Sequence, residues 1–455
     1  MSGMFSDFDP EYFQRLLRDL SPRPGERVDL FLEERSELAL AGDAEGEQAP
    51  RFVHDTGFAF QVAAPGGRIH RAGSPASEVR IRDVFRELAQ EFGVEPFFRK
   101  VAKRQSHRAS EEPGKEIEDL EEEARQIHRR LHALAARERF GIRAAHVSLS
   151  RRRRGILTRD AGWQSWIRGE VHVQLDIRRS GKGATIRAGA VRYDAGLDAY
   201  LRRAVSAALP DDPLRAFPSR TPVTAVFAEG TAATFFHETI GHLLEADALA
   251  EGLSPLLPVL GATVAPPTLT VWDDPDRPDL PGGIPVDDEG NPSERQALID
   301  RGRVGIPLGD FGHSDFGPPG RARRATWADP PLPRVTNLVV SAGRADFDSV
   351  LRTVSRGILV TSLGSGSVDP ASGRFSLRVL SGRWIRKGEL GAPCPPTWIA
   401  GDLFQTLEMI RPEIGEDLAV DYASTICSRR GQSVPVGGLA PLVAVPGLVT
   451  GPGES

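Results

Sequence analysis

The string His237-Glu238-Thr239-Ile240-Gly241-His242 constrains this chain more than any other feature of it. Two imidazoles and a carboxylate within two helical turns are the parts of a hydrolytic zinc site. Neutral imidazole nitrogens bind zinc, and a carboxylate beside them can take a proton from metal-bound water. The commoner zincin string has its histidines at i and i+4, on one helical face. Here they stand at i and i+5, which at ~100° per residue sets them ~140° apart around an ideal helix. Both reach one metal only if the helix ends, widens or bulges between them. Gly241, just before the second histidine, is where such a distortion costs least.

Catalytic zinc is held by three protein ligands plus water, so a third ligand must come from elsewhere. The chain offers Glu245, Asp247, His313, Cys394 and Cys427. Glu245 lies three residues past His242, close to its helical face. It serves either as a ligand or as an acceptor that fixes an imidazole tautomer. His313, in Asp310-Phe311-Gly312-His313-Ser314-Asp315, reads equally well as a solvated histidine in a turn. Cys427 stands close to two arginines and a glycine, a setting that suits a thiolate ligand. Taken alone, a single cysteine is more often a small buried hydrophobe. Without a third ligand the string also admits two core histidines satisfied by backbone carbonyls beside a surface glutamate.

At 455 residues the chain is too long for one small core, and two or three domains are expected. A net charge of -5 gives no reason to expect nucleic acid or an acidic membrane as partner. There is no run of ~18 apolar residues, so no membrane span is expected. The acidic N-terminus lacks the basic region of a signal peptide. Two cysteines and no export signal point to the cytoplasm, with thiols reduced and free to bind metal.

The expected fold class is α+β, with an N-terminal α/β region followed by a mostly β C-terminal domain carrying the metal-binding helix. The expected domains are residues 1–103, 104–216 and 217–455. Asp9 and Pro10 open a helix that runs to Leu20 and is stopped by Ser21-Pro22-Arg23-Pro24-Gly25. Val28, Leu30 and Leu32 alternate as a half-buried strand, residues 58–62 suggest another, and 78–92 has helical spacing. Residues 104–114 read as a linker. A charge-dense helix over 115–139 follows, then strands at 143–149, 155–159, 169–178 and 185–192, and a helix over 196–208. The run Arg151-Arg152-Arg153-Arg154 lies between two strand patterns and reads as a solvated hairpin turn. A strand at 224–227 precedes the histidine string. Short strands at 335–341, 357–362, 374–380 and 383–386 and a helix at 401–412 complete the chain. Cys394 reads as a loop cysteine.

His237 through Asp247 resembles the metal-binding helix of the TldD/PmbA family of zinc metalloproteases, whose pattern is H-E-x-x-G-H-x-L-E-x-D. Asp287-Asp288-Glu289-Gly290 resembles the family's D-D-E-G segment. Arg323-Arg324 and Pro333-Arg334-Val335-Thr336-Asn337 resemble its R-R and P-R-x-T-N segments. Gly364-Ser365-Gly366-Ser367-Val368-Asp369, with Ser372-Gly373-Arg374-Phe375, is similar to its G-x-G-x-V-D-x-x-T/S-G-x-F run. Cys427 through Gly437 resembles C-G-K-x-G-Q-x-V-P-V-G, whose cysteine is the family's third zinc ligand. The matches run in order from about residue 222 to 441.

The resemblance implies a peptidase acting on small or unfolded peptides, with zinc held by His237, His242 and Cys427. It also implies two related subunits, as a homodimer or heterodimer, around an enclosed site. Glu238 is then the general base that activates water and returns the proton to the leaving amine. Glu245 and Asp247 are the carboxylates expected behind the ligands. Arg334, Asn337 and Tyr422 are candidates for stabilising the oxyanion. Two stretches depart from the family pattern: Ser428 and Arg429 replace Gly and Lys, and Trp384-Ile385-Arg386-Lys387-Gly388 replaces a more acidic segment. The alternative is a non-catalytic peptide-binding or assembly subunit whose metal is structural or absent. Only an enzyme needs Glu238, which is not expected to be a ligand. A thiol hydrolase is the weaker third reading, since neither cysteine has the surroundings of an activated nucleophile.

Overall fold

A computed structural model of the chain describes residues 8–20, 26–43, 46–64, 67–93, 113–216 and 220–451. The expected helix stop at residues 21–25 and most of the expected linker at 104–114 lie outside the described residues. The first half is one antiparallel sheet under four helices. Its strands are β1 (Arg27–Gly42), β2 (Arg51–Ala64), β3 (Gly67–Gly73), β4 (Gly141–Thr158), β5 (Gly162–Arg179) and β6 (Lys182–Ala190). They are ordered β3-β2-β1-β4-β5-β6, so strands on either side of residues 103 and 104 share a single sheet.

Helices α1 (Pro10–Asp19) and α2 (Glu78–Glu91) open on Asp9 and Ser77, whose side chains accept from the Tyr12 and Arg80 amides. Helix α3 (Pro113–Glu138) buries Leu120, Ile127, Leu131 and Leu134, much as the charge-dense pattern suggests. Helix α4 (Ala195–Ala208) is capped by Asp194.

The period of two along β1 sorts the sheet's faces. Val28, Leu30, Leu32, Leu38 and Leu40 pack under the helices. The residues between them turn the other way. Phe31 packs on Val286 of the C-terminal half, and Ala39 and Ala41 border an open cavity.

The same alternation corrects the reading of the arginine run. Arg151–Arg154 is not a turn: it lies inside β4, which is continuous for 18 residues. Arg153 meets Glu34 at 3.7 Å on a partly exposed face. Arg154 is buried, 2.8 Å from Glu33 and 3.2 Å from Asp288, and donates to the Arg324 and Ala325 carbonyls. Nearby, Arg68 pairs with Glu289 (3.1 Å) and Asp310 (2.9 Å), and Glu289 also accepts from Gln61. The Asp287-Asp288-Glu289 segment is therefore a joint to the N-terminal sheet.

The C-terminal half begins with β7 (Pro222–Phe227). Next come β8 (Val271–Asp273), β9 (Gln296–Asp300), β10 (Arg303–Val304), β11 (Ala322–Arg323), β12 (Leu332–Pro333) and β13 (Asn337–Val340). The longer strands β14 (Arg356–Val368) and β15 (Arg374–Arg386) follow, then β16 (Glu389–Cys394) and β17 (Thr397–Asp402). The last are β18 (Ala419–Val420), β19 (Ile426–Arg429), β20 (Gln432–Pro435), β21 (Gly437–Ala440) and β22 (Val443–Gly451).

Strands β14-β7-β22-β17-β15 close on themselves through the β14–β15 pairing, forming a small barrel with β16 outside β15. A second sheet, β10-β9-β8-β13-β21-β18, lies beside it. The stretches expected as separate strands at 374–380 and 383–386 are one strand, and Cys394 ends β16 instead of lying in a loop. The expected helix at 401–412 is shorter, Leu403–Met409. The helix α5 (Thr231–Phe236) is wedged between barrel and second sheet, every one of its residues buried. The class is α+β. Among the described residues no helix is long and apolar enough to cross a membrane.

Candidate metal centre

The histidine string continues α5 without a break in direction but with a change of pitch. Residues His237–Gly241 form one π-helical turn, in which the His242 amide donates to the His237 carbonyl. An i→i+5 bond widens the helix by about a residue per turn, which returns i+5 to the face of i. This is the widening that the histidine spacing requires. Gly241 has ordinary helical dihedrals (φ -54°, ψ -59°), so backbone freedom is not what the turn uses. A Cβ there would lie 2.9 Å from Val335 Cγ2, so the missing side chain admits the segment that links β12 to β13. The π turn tightens into a 3₁₀ turn at His242–Leu244. Glu245 is extended and starts α6 (Ala246–Ala250).

Cys427 arrives from β19, paired with β20 across a two-residue turn. Arg430 and Gly431 both take positive φ there (51° and 77°), the pattern of a type I′ hairpin. Arg334 is fully buried. It donates to the Cys427 carbonyl at 2.8 Å and the Gln432 carbonyl at 3.3 Å, bracing both strands of that hairpin.

The ligand atoms of His237, His242 and Cys427 lie within 4.8 Å of one another. Cys427 Sγ is 3.3 Å from His242 Nε2, and the two imidazole rings meet edge to face at 4.7 Å. A tetrahedral zinc centre spaces sulfur and nitrogen donors by about 3.5 Å. The described residues contain no other such group of histidine, cysteine or carboxylate side chains.

Behind this group stands a carboxylate relay. Glu245 Oε2 is 3.1 Å from His242 Nδ1, so the proton on Nδ1 is held and Nε2 is left as the ligand atom. Glu245 also takes the Val335 amide (3.2 Å) and faces Arg429 at 3.0 Å and Arg334 at 3.7 Å. Asp247 does not touch a histidine. It receives Arg429 at 2.7 and 2.8 Å. Arg429 departs from the family's lysine, yet it does not border the cavity. It ties the cysteine hairpin to the carboxylates of the histidine helix.

Burial pushes the Cys427 thiol up, but the charge and hydrogen bonds of His237 and His242 outweigh it and bring the thiol down to about 4. Burial likewise opposes ionisation of Glu245, and His242, Arg429 and Arg334 nevertheless hold it at about 2. Burial lowers His242, while Glu245 and Cys427 raise it well above the usual imidazole range. A soft thiolate with two imidazoles matches zinc.

Glu238, half-buried, borders the cavity, and no hydrogen bond or ion pair to its carboxylate occurs among the described residues. Strand β14 passes close by: a Cβ on Gly366 would lie 3.1 Å from Glu238 Cγ. The cavity, about 1280 Å³, opens between the bare face of the N-terminal sheet and the barrel, with the two histidines and Cys427 in its wall.

The other sequence candidates lie elsewhere. His313 is held by Asp310 at 2.7 Å, outside the histidine–cysteine group. Cys394 borders the cavity away from that group, its thiol pushed up by burial to about 11. Both cysteines are free. Arg334, Asn337 and Tyr422 do not border the cavity, so none is aimed at an oxyanion there. Arg334 is spent on the hairpin, and Asn337 on the Gly282 amide and Asp274 carbonyl. Tyr422 lies against Tyr200.

Asp421 was not among the sequence candidates. It is buried at the cavity wall and takes the Thr234 hydroxyl and the Ala423 and Ser424 amides. An aspartate side chain that takes the amide two residues on makes an Asx turn, which many aspartates form, so the sequence does not single this one out.

The C-terminal half matches the PmbA/TldA metallopeptidase C-terminal domain over residues 219–450, just over half of the chain. In sequence it is similar to a metalloprotease TldD homolog of Buchnera aphidicola: 29% identical over 229 residues, 50% of this chain and 47% of that protein. It is 26% identical to a zinc metalloprotease TldD homolog of Saccharolobus solfataricus, over 51% of this chain and 52% of that one. The chain thus spans about half the length of the relatives it matches in sequence. In fold it is similar to TldE from Thermococcus kodakarensis, with a TM-score of 0.72 at 14% identity, covering 97% of this chain and 100% of that one.

Proposed function

The chain belongs to the TldD/PmbA family of metallopeptidases, and from that premise we propose that it is a zinc-dependent peptidase hydrolysing small or unfolded peptides in the cytoplasm. The proposal is carried by the convergence of His237, His242 and Cys427 on one point beside an unpaired glutamate. The name of the Saccharolobus relative supports zinc as the metal.

His237, His242 and Cys427 would hold the zinc, and its chemistry there would be Lewis acidity, making water nucleophilic near neutral pH and polarising a carbonyl. Glu238 stands on the wide turn between the two histidines. Its carboxylate takes the proton of the attacking water and passes it to the leaving amine. Glu245 keeps His242 in one tautomer through Nδ1, and Arg429 keeps Glu245 and Asp247 in place. The cavity exceeds the roughly 300–1,000 Å³ of a small-molecule pocket, which supports an extended peptide as substrate. Pairing with a second copy or a related family subunit rests on the family resemblance alone.

Glu238→Gln tests the reading. Hydrolysis of an unstructured fluorogenic peptide should fall by about 10²–10⁴-fold, while zinc per chain stays at the wild-type value. Equal rates in the two proteins would leave the non-catalytic peptide-binding or assembly subunit as the function.

A further inference from the structure

Away from the ligand group, the walls of the cavity carry charge of one sign. Arg51 of β2, Lys182 and Arg187 of β6 and Arg378 of β15 border it, all four exposed. The carboxylates that border it among the described residues are Glu238 and Asp421. Asp421 is buried and committed to Thr234 and two amides. The four cations have no carboxylate partner among the described residues. Arg187 donates to Gln174 (3.0 Å) and Lys182 to the Pro210 carbonyl (2.9 Å), both neutral. Since the whole chain carries -5, this is a local enrichment and not a basic protein showing through.

The sheet register explains how the cations are presented. One row across the bare face reads Arg51–Ala39–Ser148–His172, and the next reads Ala41–His146–Gln174–Arg187. Alanine and serine keep the middle low, and arginines stand at its two margins. Opposite, Leu377 and Val379 point into the barrel core, so Arg378 between them points outward. Leu377 pairs with Gly366, the residue that abuts Glu238.

We propose that this cavity selects peptides by their carboxylates, so that acidic peptides are its preferred substrates. The inference rests on the peptidase reading above. Guanidinium groups take carboxylates in paired hydrogen bonds. A recessed cleft lined by one sign of charge also raises the encounter rate with the opposite sign. Each exposed pair is weak alone, so the preference is cumulative and falls with salt. The carboxylates come from Asp and Glu side chains or from the end of the peptide chain.

Four fluorogenic peptides of equal length with one shared scissile sequence separate these cases: Glu-rich amidated, Lys-rich amidated, and neutral with a free or amidated terminus. At low ionic strength kcat/KM should favour the Glu-rich over the Lys-rich peptide by on the order of tenfold or more. The gap should narrow near ~0.5 M salt and reverse in the double variant Arg187→Glu, Arg378→Glu. If the free terminus gives the larger gain, the chain end is the carboxylate read. Equal rates, or a preference for the Lys-rich peptide, would overturn the inference. If no peptide is cut, the peptidase reading fails, and fluorescence anisotropy of the labelled peptides on Glu238→Gln decides the inference by itself. Tighter binding of the Glu-rich peptide sustains it, and equal binding ends it.

Discussion

At the joint between the N-terminal sheet and the C-terminal half, arginines meet carboxylates directly: Arg154 meets Glu33 and Asp288, and Arg68 meets Glu289 and Asp310. At the His237–His242 turn the plan is different. Three electron-pair donors face one another within 4.8 Å, and the nearby arginine, Arg429, is turned away from them onto Glu245 and Asp247. Both regions are buried and polar. At the joint these charges pair with one another, which offsets the cost of burying them. At the turn and hairpin, the carboxylates behind the donors are held by the His242 ring and Arg429, and the donors face one another. The contrast separates a charged cluster that joins two parts of the fold from one whose donor atoms converge on a single point.

That contrast can be broken or sharpened by substitution. The largest effect belongs to Arg154→Ala, which takes from the buried Glu33 and Asp288 the guanidinium they share. Losing one member of a buried pair costs about 3–5 kcal/mol, to be read in urea unfolding, while zinc per chain stays unchanged. A parallel loss of zinc would mean that the two clusters are not independent. Arg429→Ala should act in the opposite way, weakening zinc by about 10–100-fold in chelator competition with a smaller change in unfolding. Arg429→Lys should recover part of the affinity, because a point charge still holds the carboxylates without the fork. Unchanged affinity in the alanine variant would remove Arg429 from the site. The smallest effect is expected for Arg153→Ala, next to Arg154 but on the partly exposed face with Glu34. It should cost no more than about 1 kcal/mol.

These differences also mark what was legible in the sequence. The histidine string carries its own geometry: a spacing of five demands a widened helix, and the π turn at His237–Gly241 supplies it. Alternation announced β1, because period is a local signal. The run at Arg151–Arg154 was misread because four like charges suggest a solvated turn. Nothing local reveals that Arg154 meets carboxylates brought in from 121 and 134 residues away. Gly241 was legible as a special position, but for the wrong cause. Its dihedrals are ordinary, and Val335, nearly a hundred residues further on, sets the need for a missing Cβ. Arg334 and Asn337 look like catalytic polar groups in sequence and prove to be braces, a difference that depends only on which backbone they reach. Cys427 gained its weight from the family pattern. On its own it reads as a small apolar residue, and the company of His237 and His242 is a product of the fold.

The most direct test of the account is zinc per chain, by elemental analysis, on the wild type and on Cys427→Ala purified side by side. The account predicts about one zinc in the wild type, from a site of three protein ligands, and sharply less in the variant, with its unfolding otherwise near that of the wild type. Absence of zinc from both proteins, even after reconstitution, or the same full complement in both, would contradict it.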